Sequence, residues 1–219
     1  MTKFYSVRHN SFNNDGLPWI QSIVSGLEDG PTCTTCGVNL DYTSGDLQVL
    51  LEIKKVELWP DVLGCGAWSV LIVSGRVLEV WESHDVIVSS AGKVQIVPPY
   101  PANLAVDEAP AYFWINGESL LDARLNFDAS GFVGVEFCPE CRTRSDDIGA
   151  TYDKQHSAVW PYVIVEETWG GRDLFTTDLS PSWYFCTRKL IDLASKYKLT
   201  NFRFAPADEG DRGSPIQYL

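Results

Sequence analysis

Two short cysteine motifs constrain this chain more than anything else in it. Residues 30–40 read GPTCTTCGVNL and carry Cys33 and Cys36; later, EFCPECRTR carries Cys138 and Cys141 at the same spacing. A CxxC on a tight turn aims two thiolates at one point, and two such turns complete the tetrahedral four-sulfur shell that zinc prefers. If the pairs meet, the fold must join positions roughly a hundred residues apart, a closure that costs chain entropy. The spacing inside each pair is the specific part of the signal, and the long insert leaves open whether they meet. A redox CxxC is the rival. Such sites follow a strand and open a helix, and neither pair here begins a convincing helix. Four cysteines make a closed shell, and closed shells are structural because a catalytic zinc keeps a position for water. The expectation is a structural zinc held by Cys33, Cys36, Cys138 and Cys141, in knuckles at 30–40 and 136–145, whose binding energy is folding energy. Of the two remaining cysteines, Cys186 reads as core and Cys65 as a buried thiol.

The compartment bears on that choice. No apolar run approaches the roughly 20 residues needed to cross a bilayer, and MTKFYSVRHNSFNNDG has no apolar stretch behind its basic residues, so it does not read as a secretory signal. The expected location is the cytoplasm, where paired CxxC motifs favour metal over disulfides. A chain of 219 residues, 45% hydrophobic and 21% charged, suits one large soluble domain or two small ones and can bury a proper core. There are 17 basic against 29 acidic residues, a net charge of −12. That excess repels nucleic acid and favours either a basic partner protein, through electrostatic steering, or simple solubility.

Along the chain, DLQVLLEIKKVELW (46–59) alternates enough to read as a strand. WSVLIVSGRVLEVW reads as a hairpin turning at Ser74-Gly75, and DVIVSSAGKVQIV as a second, looser hairpin. The prolines of VPPYPANLAVDEAP exclude a central strand, and residues 98–111 are the best candidate for a boundary inside an otherwise single 1–219 domain. AYFWINGESLLDARLNF turns at Asn116-Gly117, while GFVGVEF and AVWPYVIVEETW read as strands. The one helix expected lies late. Ser180 would cap it, Pro181 would occupy its first turn, and Cys186, Leu190, Leu193 and Tyr197 would form its apolar face, with NFRF following as a strand. The expected class is α+β: a strand-rich, mainly antiparallel single domain with a C-terminal helix–strand unit and a zinc knuckle pair that together contributes four cysteines.

Other chemistry is thin. His84-Asp85 and His156 show no triad pattern, and GxGxxG, HExxH, GxSxG and phosphate-loop motifs are absent from the sequence. Among eight tryptophans and nine tyrosines, Trp59, Trp114, Trp169 and Trp183 are candidates for an aromatic contact surface. ADEGDRG and VDEAP are candidate acidic contact regions; solvated surface is the plain alternative for both.

The order of motifs resembles a known family. A CxxCG near residue 35, a second CxxC past the middle, and the ending DLFTTDLSPSWYFCTRKLIDLASKYKLTNFRF are similar to the double-CXXCG motif family, which includes Sit-type bacterial immunity proteins of myxobacterial origin. The resemblance covers the two motifs and roughly the last fifty residues. It carries over Cys33, Cys36, Cys138 and Cys141 as the family's cysteines and implies no catalytic residues. It implies an immunity protein that binds and neutralises a cognate toxin, with a basic nuclease-type domain as the expected partner; the charge and the lack of a long apolar run add the expectation of no nucleic-acid or membrane partner. One position departs. The family's second motif ends in glycine, whereas Arg142 follows Cys141; glycine suits a left-handed turn, and arginine implies a turn of another type. A zinc-dependent or thiol-redox enzyme is the alternative from a different class, and a regulatory zinc ribbon acting on nucleic acid is a third that the charge opposes.

Overall fold

The computed structural model describes residues 3–9, 19–28, 31–37, 42–52, 58–65, 70–88, 91–98, 106–132, 134–142, 144–145, 161–209 and 216–218. Strand β1 (Phe4–His9) belongs to a large sheet. The next six strands close into a barrel: β2 (Trp19–Glu28), β3 (Tyr42–Glu52), β4 (Val62–Cys65), β5 (Val70–Ser74), β6 (Ala91–Ile96) and β7 (Tyr112–Asn116). β8 (Leu121–Leu125) returns to the sheet, and β9 (Glu136–Phe137) and β10 (Arg144–Ser145) form a small hairpin. β11 (Ile164–Val165), β12 (Leu174–Thr177), β13 (Ser180–Thr187), β14 (Phe202–Pro206) and β15 (Ile216–Tyr218) complete the large sheet in the order β11-β8-β12-β13-β1-β14-β15. Two α-helices are present among the described residues, α1 (Gly75–Glu82) and α2 (Arg188–Tyr197).

The class is strand-rich α+β, as expected, but two α-helices are described where one was expected, and the barrel and the large sheet are both mixed rather than mainly antiparallel. β2 pairs in parallel with β4, β3 with β6, and β8 with β12. Side chains alternate between faces in parallel and antiparallel ladders alike, though their hydrogen-bond patterns differ, so an alternation pattern says nothing about which neighbour a strand takes.

Two helix boundaries differ from expectation. WSVLIVSGRVLEVW is strand β5 followed by α1. Ser74-Gly75 is the junction: Ser74 is buried and Gly75 donates its N–H to the Ala111 carbonyl. Val77, Val80 and Trp81 fall at helical spacing and are buried together. In the other case Ser180–Thr187 is a strand and α2 begins at Arg188. Tyr184 and Cys186 enter one core and Phe185 the opposite one. A central strand buried on both faces reads as a continuous apolar run, and its spacing to Leu190 and Leu193 imitated a helix face. The buried helical positions are Leu190, Ile191, Leu193 and Ala194, and Lys198 closes the helix in the left-handed conformation. NFRF lies in β14 as expected.

Several strands are shorter than expected. The one expected over 46–59 is β3, ending at Glu52, with residues 53–57 outside the described residues. The expected second hairpin contributes only β6, GFVGVEF only β9, and AVWPYVIVEETW only β11; residues 158–160 are outside the described residues. Asn116 ends β7 as expected, but Gly117–Leu120 form a short 3-10 helix whose Glu118 N–H is capped by the Asn116 side chain. Of the proposed boundary at 98–111, residues 99–105 are outside the described residues.

Three apolar clusters organise the molecule. Ile20, Leu47, Val49, Leu63, Ile72 and Tyr112 pack together from the barrel strands. Phe4, Phe175, Phe185 and Tyr162 form a second core on one face of the large sheet. Val62, Leu71 and Val73 of the barrel pack with Tyr5, Tyr184, Phe202, Phe204 and both helices in a third. Strand β5 thus divides its side chains between two cores.

A buried polar joint ties barrel to sheet. Asp61 accepts hydrogen bonds from Ser74 Oγ (2.8 Å), the Thr200 N–H (2.8 Å), Thr200 Oγ1 (3.2 Å) and Arg76 Nη1 (3.1 Å). Its own N–H is donated to Thr200 Oγ1, and Asn201 Nδ2 donates to the Val62 carbonyl at 2.7 Å. Each polar group at this seam finds a partner, which is what makes its burial tolerable.

Candidate metal centre

Each cysteine pair is the end of a hairpin. The first lies in the connection from β2 to β3, whose last paired residues are Leu27↔Thr43 and Glu28↔Tyr42. The second is the turn of hairpin β9–β10, held in register by Phe137↔Arg144 and Glu136↔Ser145. Hairpin β9–β10 is anchored by aromatic contact: Phe137 meets Phe127 edge to face at 5.7 Å, and Phe127 meets Phe132 at 5.8 Å. Phe132 is buried in the second core.

The two turns are alike in backbone. Gly37 N–H donates to the Cys33 carbonyl at 2.9 Å, and Arg142 N–H to the Cys138 carbonyl at 3.0 Å. Gly37 has φ 72° and Arg142 φ 61°. The expectation that arginine implies a different turn is therefore corrected: Arg142 takes the left-handed conformation that glycine would take. A non-glycine residue there carries a backbone cost of about 1 kcal/mol. The Arg142 guanidinium lies 5.7 Å from the centre of the Phe137 ring, a cation–π contact that offsets part of it.

A Cβ at Gly37 would meet nothing within 4 Å, so its cost is conformational alone. We expect Gly37→Ala to lower stability by about 1 kcal/mol and Arg142→Gly to cost nothing, read as midpoints in thermal unfolding. A clear loss of stability in Arg142→Gly would show that its side chain, not its backbone, matters.

The four thiols converge. Cys33, Cys36, Cys138 and Cys141 place their sulfurs within 4.8 Å of one another. The Sγ atoms of Cys33 and Cys138 are 3.8 Å apart, and those of Cys36 and Cys141 3.5 Å. A tetrahedral ion with metal–sulfur bonds of about 2.3 Å separates its ligand sulfurs by about 3.8 Å. A disulfide would need about 2.05 Å, and all four cysteines are reduced. The donor set and its spacing fit a tetrathiolate metal site. Cys33 and Cys138 are buried, Cys141 half-buried and Cys36 exposed.

Sequence reasoning missed the clamp across the two turns. Glu140, between the cysteines of the second pair, accepts hydrogen bonds from Thr34 Oγ1 (3.0 Å) and Thr35 Oγ1 and lies 3.6 Å from Cys33 Sγ. The Thr35 and Thr34 hydroxyls hold its carboxyl below the usual carboxylate range. The signal was the identity of the inner residues, hydroxyls in CTTC against a carboxylate in CPEC.

The other candidates fall elsewhere. Cys186 is fully buried, and burial pushes its thiol well up, as suits core. The Cys65 side chain and His156 are outside the described residues. His84 bonds the Val80 carbonyl at 2.9 Å and the Tyr197 hydroxyl at 3.2 Å, joining the ends of α1 and α2. The aromatic surface is not assembled as expected. Trp114 is buried in the barrel with its Nε1 on the Gly45 carbonyl, and Trp59, Trp169 and Trp183 are half-buried against cores. Asp107 and Glu108 of VDEAP and Asp208 and Glu209 of ADEGDRG are exposed; residues 210–213 are outside the described residues. No described helix is long and apolar enough to cross a membrane. No protein-family model matches this chain, and no curated protein matches it.

Proposed function

We propose that this chain is a non-enzymatic, cytoplasmic immunity protein that neutralises a basic bacterial toxin domain by covering it, and that its four-cysteine centre holds a structural zinc. The observation that carries the reading is the convergence of four thiols from the two motifs on which the family resemblance rests. Four thiolates saturate a zinc ion and leave no position for a catalytic water, which favours a staple over a zinc enzyme. Zinc, when bound, supplies cross-linking and no chemistry. Cys33 and Cys138 would hold it from the buried side and Cys36 and Cys141 from the outer side, while Glu140 fixes the turns against each other.

The partner is argued from charge. A net charge of −12 accelerates encounter with a basic protein and suits occlusion of a basic nucleic-acid-binding cleft. The test is capture of partners by the tagged protein from its own bacterium at low and moderate salt, with identification by mass spectrometry. A single stoichiometric protein with a basic toxin domain is expected, together with one zinc per chain by elemental analysis. We further expect its association rate to fall several-fold as salt rises from about 50 to 200 mM, because steering is screened over a Debye length of roughly 10 Å at 0.1 M. An association rate indifferent to salt would remove the charge argument, and a chain without metal would remove the zinc.

A further inference from the structure

We infer that Cys36 is the oxidation-sensitive thiol of the metal centre and Cys141 its resolving partner, so that oxidation replaces the metal staple by a disulfide between the two hairpins. The inference rests on the metal reading above. Its first ground is access. The inner pair, Cys33 and Cys138, is buried, and Glu140 lies against the Cys33 sulfur; Cys36 is exposed, and the space where a Gly37 side chain would stand is open. A peroxide can reach Cys36 and cannot reach Cys33 or Cys138 without opening the site, and thiol oxidation follows access and thiolate character.

The second ground is geometry. The Cys36 sulfur lies 3.5 Å from that of Cys141 of the other motif. The Cys36 thiolate attacks one oxygen of hydrogen peroxide, giving a sulfenic acid and hydroxide. The Cys141 thiolate then attacks that sulfur, forming the S–S bond and expelling the second hydroxide. Two electrons leave the two sulfurs and reduce one peroxide. Cys33 and Cys138 remain as two ligands, too few for a closed shell, and the ion is released. Residues 36 and 141 are 105 apart in sequence, so the disulfide keeps the same long loop closed. A disulfide within either CxxC would close only its own turn and leave the hairpins unjoined.

The test treats the full-length reduced protein, metal analysed beforehand, with limiting hydrogen peroxide and dimedone as a sulfenic-acid trap, followed by peptide mapping. Adducts on Cys36 should exceed those on Cys33 and Cys138 by at least about tenfold. Without the trap, non-reducing maps should show Cys36–Cys141, with metal release rising in step and reversed by thiol and zinc. Cys141→Ser should leave the sulfenic acid standing on Cys36; if that variant does not fold, the wild-type map decides alone. First adducts on Cys33 or Cys138, or disulfides Cys33–Cys36 and Cys138–Cys141, overturn the inference. A chain that holds no metal overturns the zinc reading instead, and the same maps of that chain still decide the pairing.

Discussion

Replacing Cys33 and Cys138 together by serine abolishes metal binding and removes on the order of 5 kcal/mol of stability, because a cross-link closing a loop of about 100 residues constrains the unfolded chain by nearly that much. A typical domain has only 5–15 kcal/mol in total, roughly, so the variant should be largely unfolded at growth temperature or lose tens of degrees of thermal midpoint. The two buried sulfurs are chosen because they face inward, 3.8 Å apart. The consequence is directional. Hairpin β9–β10 keeps its aromatic anchor through Phe127 and Phe132, whereas the turn at Cys33–Gly37 is held across the site by threonine bonds to the exposed Glu140. Hydrogen exchange in any folded fraction should therefore rise first at the end of the barrel near residues 27–43. A double variant with unchanged melting and unchanged metal content would sink the staple.

Asp61→Ala is the second large effect, with an expected loss of about 3–5 kcal/mol, the range for stripping one partner from a buried charged network. The substitution strands the buried Ser74 hydroxyl and takes the carboxylate partner from the part-buried Thr200 N–H, at the seam where barrel meets sheet. Arg76, by contrast, is about half exposed, its side chain at 53%. Its pair with Asp61 is screened, and Arg76→Met should cost about 1 kcal/mol or less. Asp61→Asn keeps one acceptor oxygen and should fall between. Chemical denaturation of the three variants separates these accounts. If Arg76→Met proves as damaging as Asp61→Ala, the carboxylate is there for the ion pair and not for the backbone of Thr200.

The metal centre shows what was legible in the sequence. The pairing of cysteines within each motif follows from spacing alone, because a CxxC turn is local: a few backbone units and one N–H to carbonyl bond place both sulfurs. NFRF and the existence of a helix near the C-terminus were legible for the same reason. The boundary errors have one physical origin. Tyr184–Cys186 of β13 and Val70–Ser74 are buried on both faces, so they carry no polar alternation to mark their period, and Ser74-Gly75 imitates the turn of a hairpin.

By itself, then, the sequence determined the elements whose causes are short-ranged: the two CxxC turns, the strand-rich class, and an acidic net charge. Tertiary structure alone decided that the knuckles meet, that β2 lies parallel to β4 and β3 to β6 in a closed barrel, and that Asp61 faces Thr200. These are pairings between positions distant in the chain. They are chosen by which cores can be filled and which buried polar groups can be satisfied at once, and no window of sequence contains that sum.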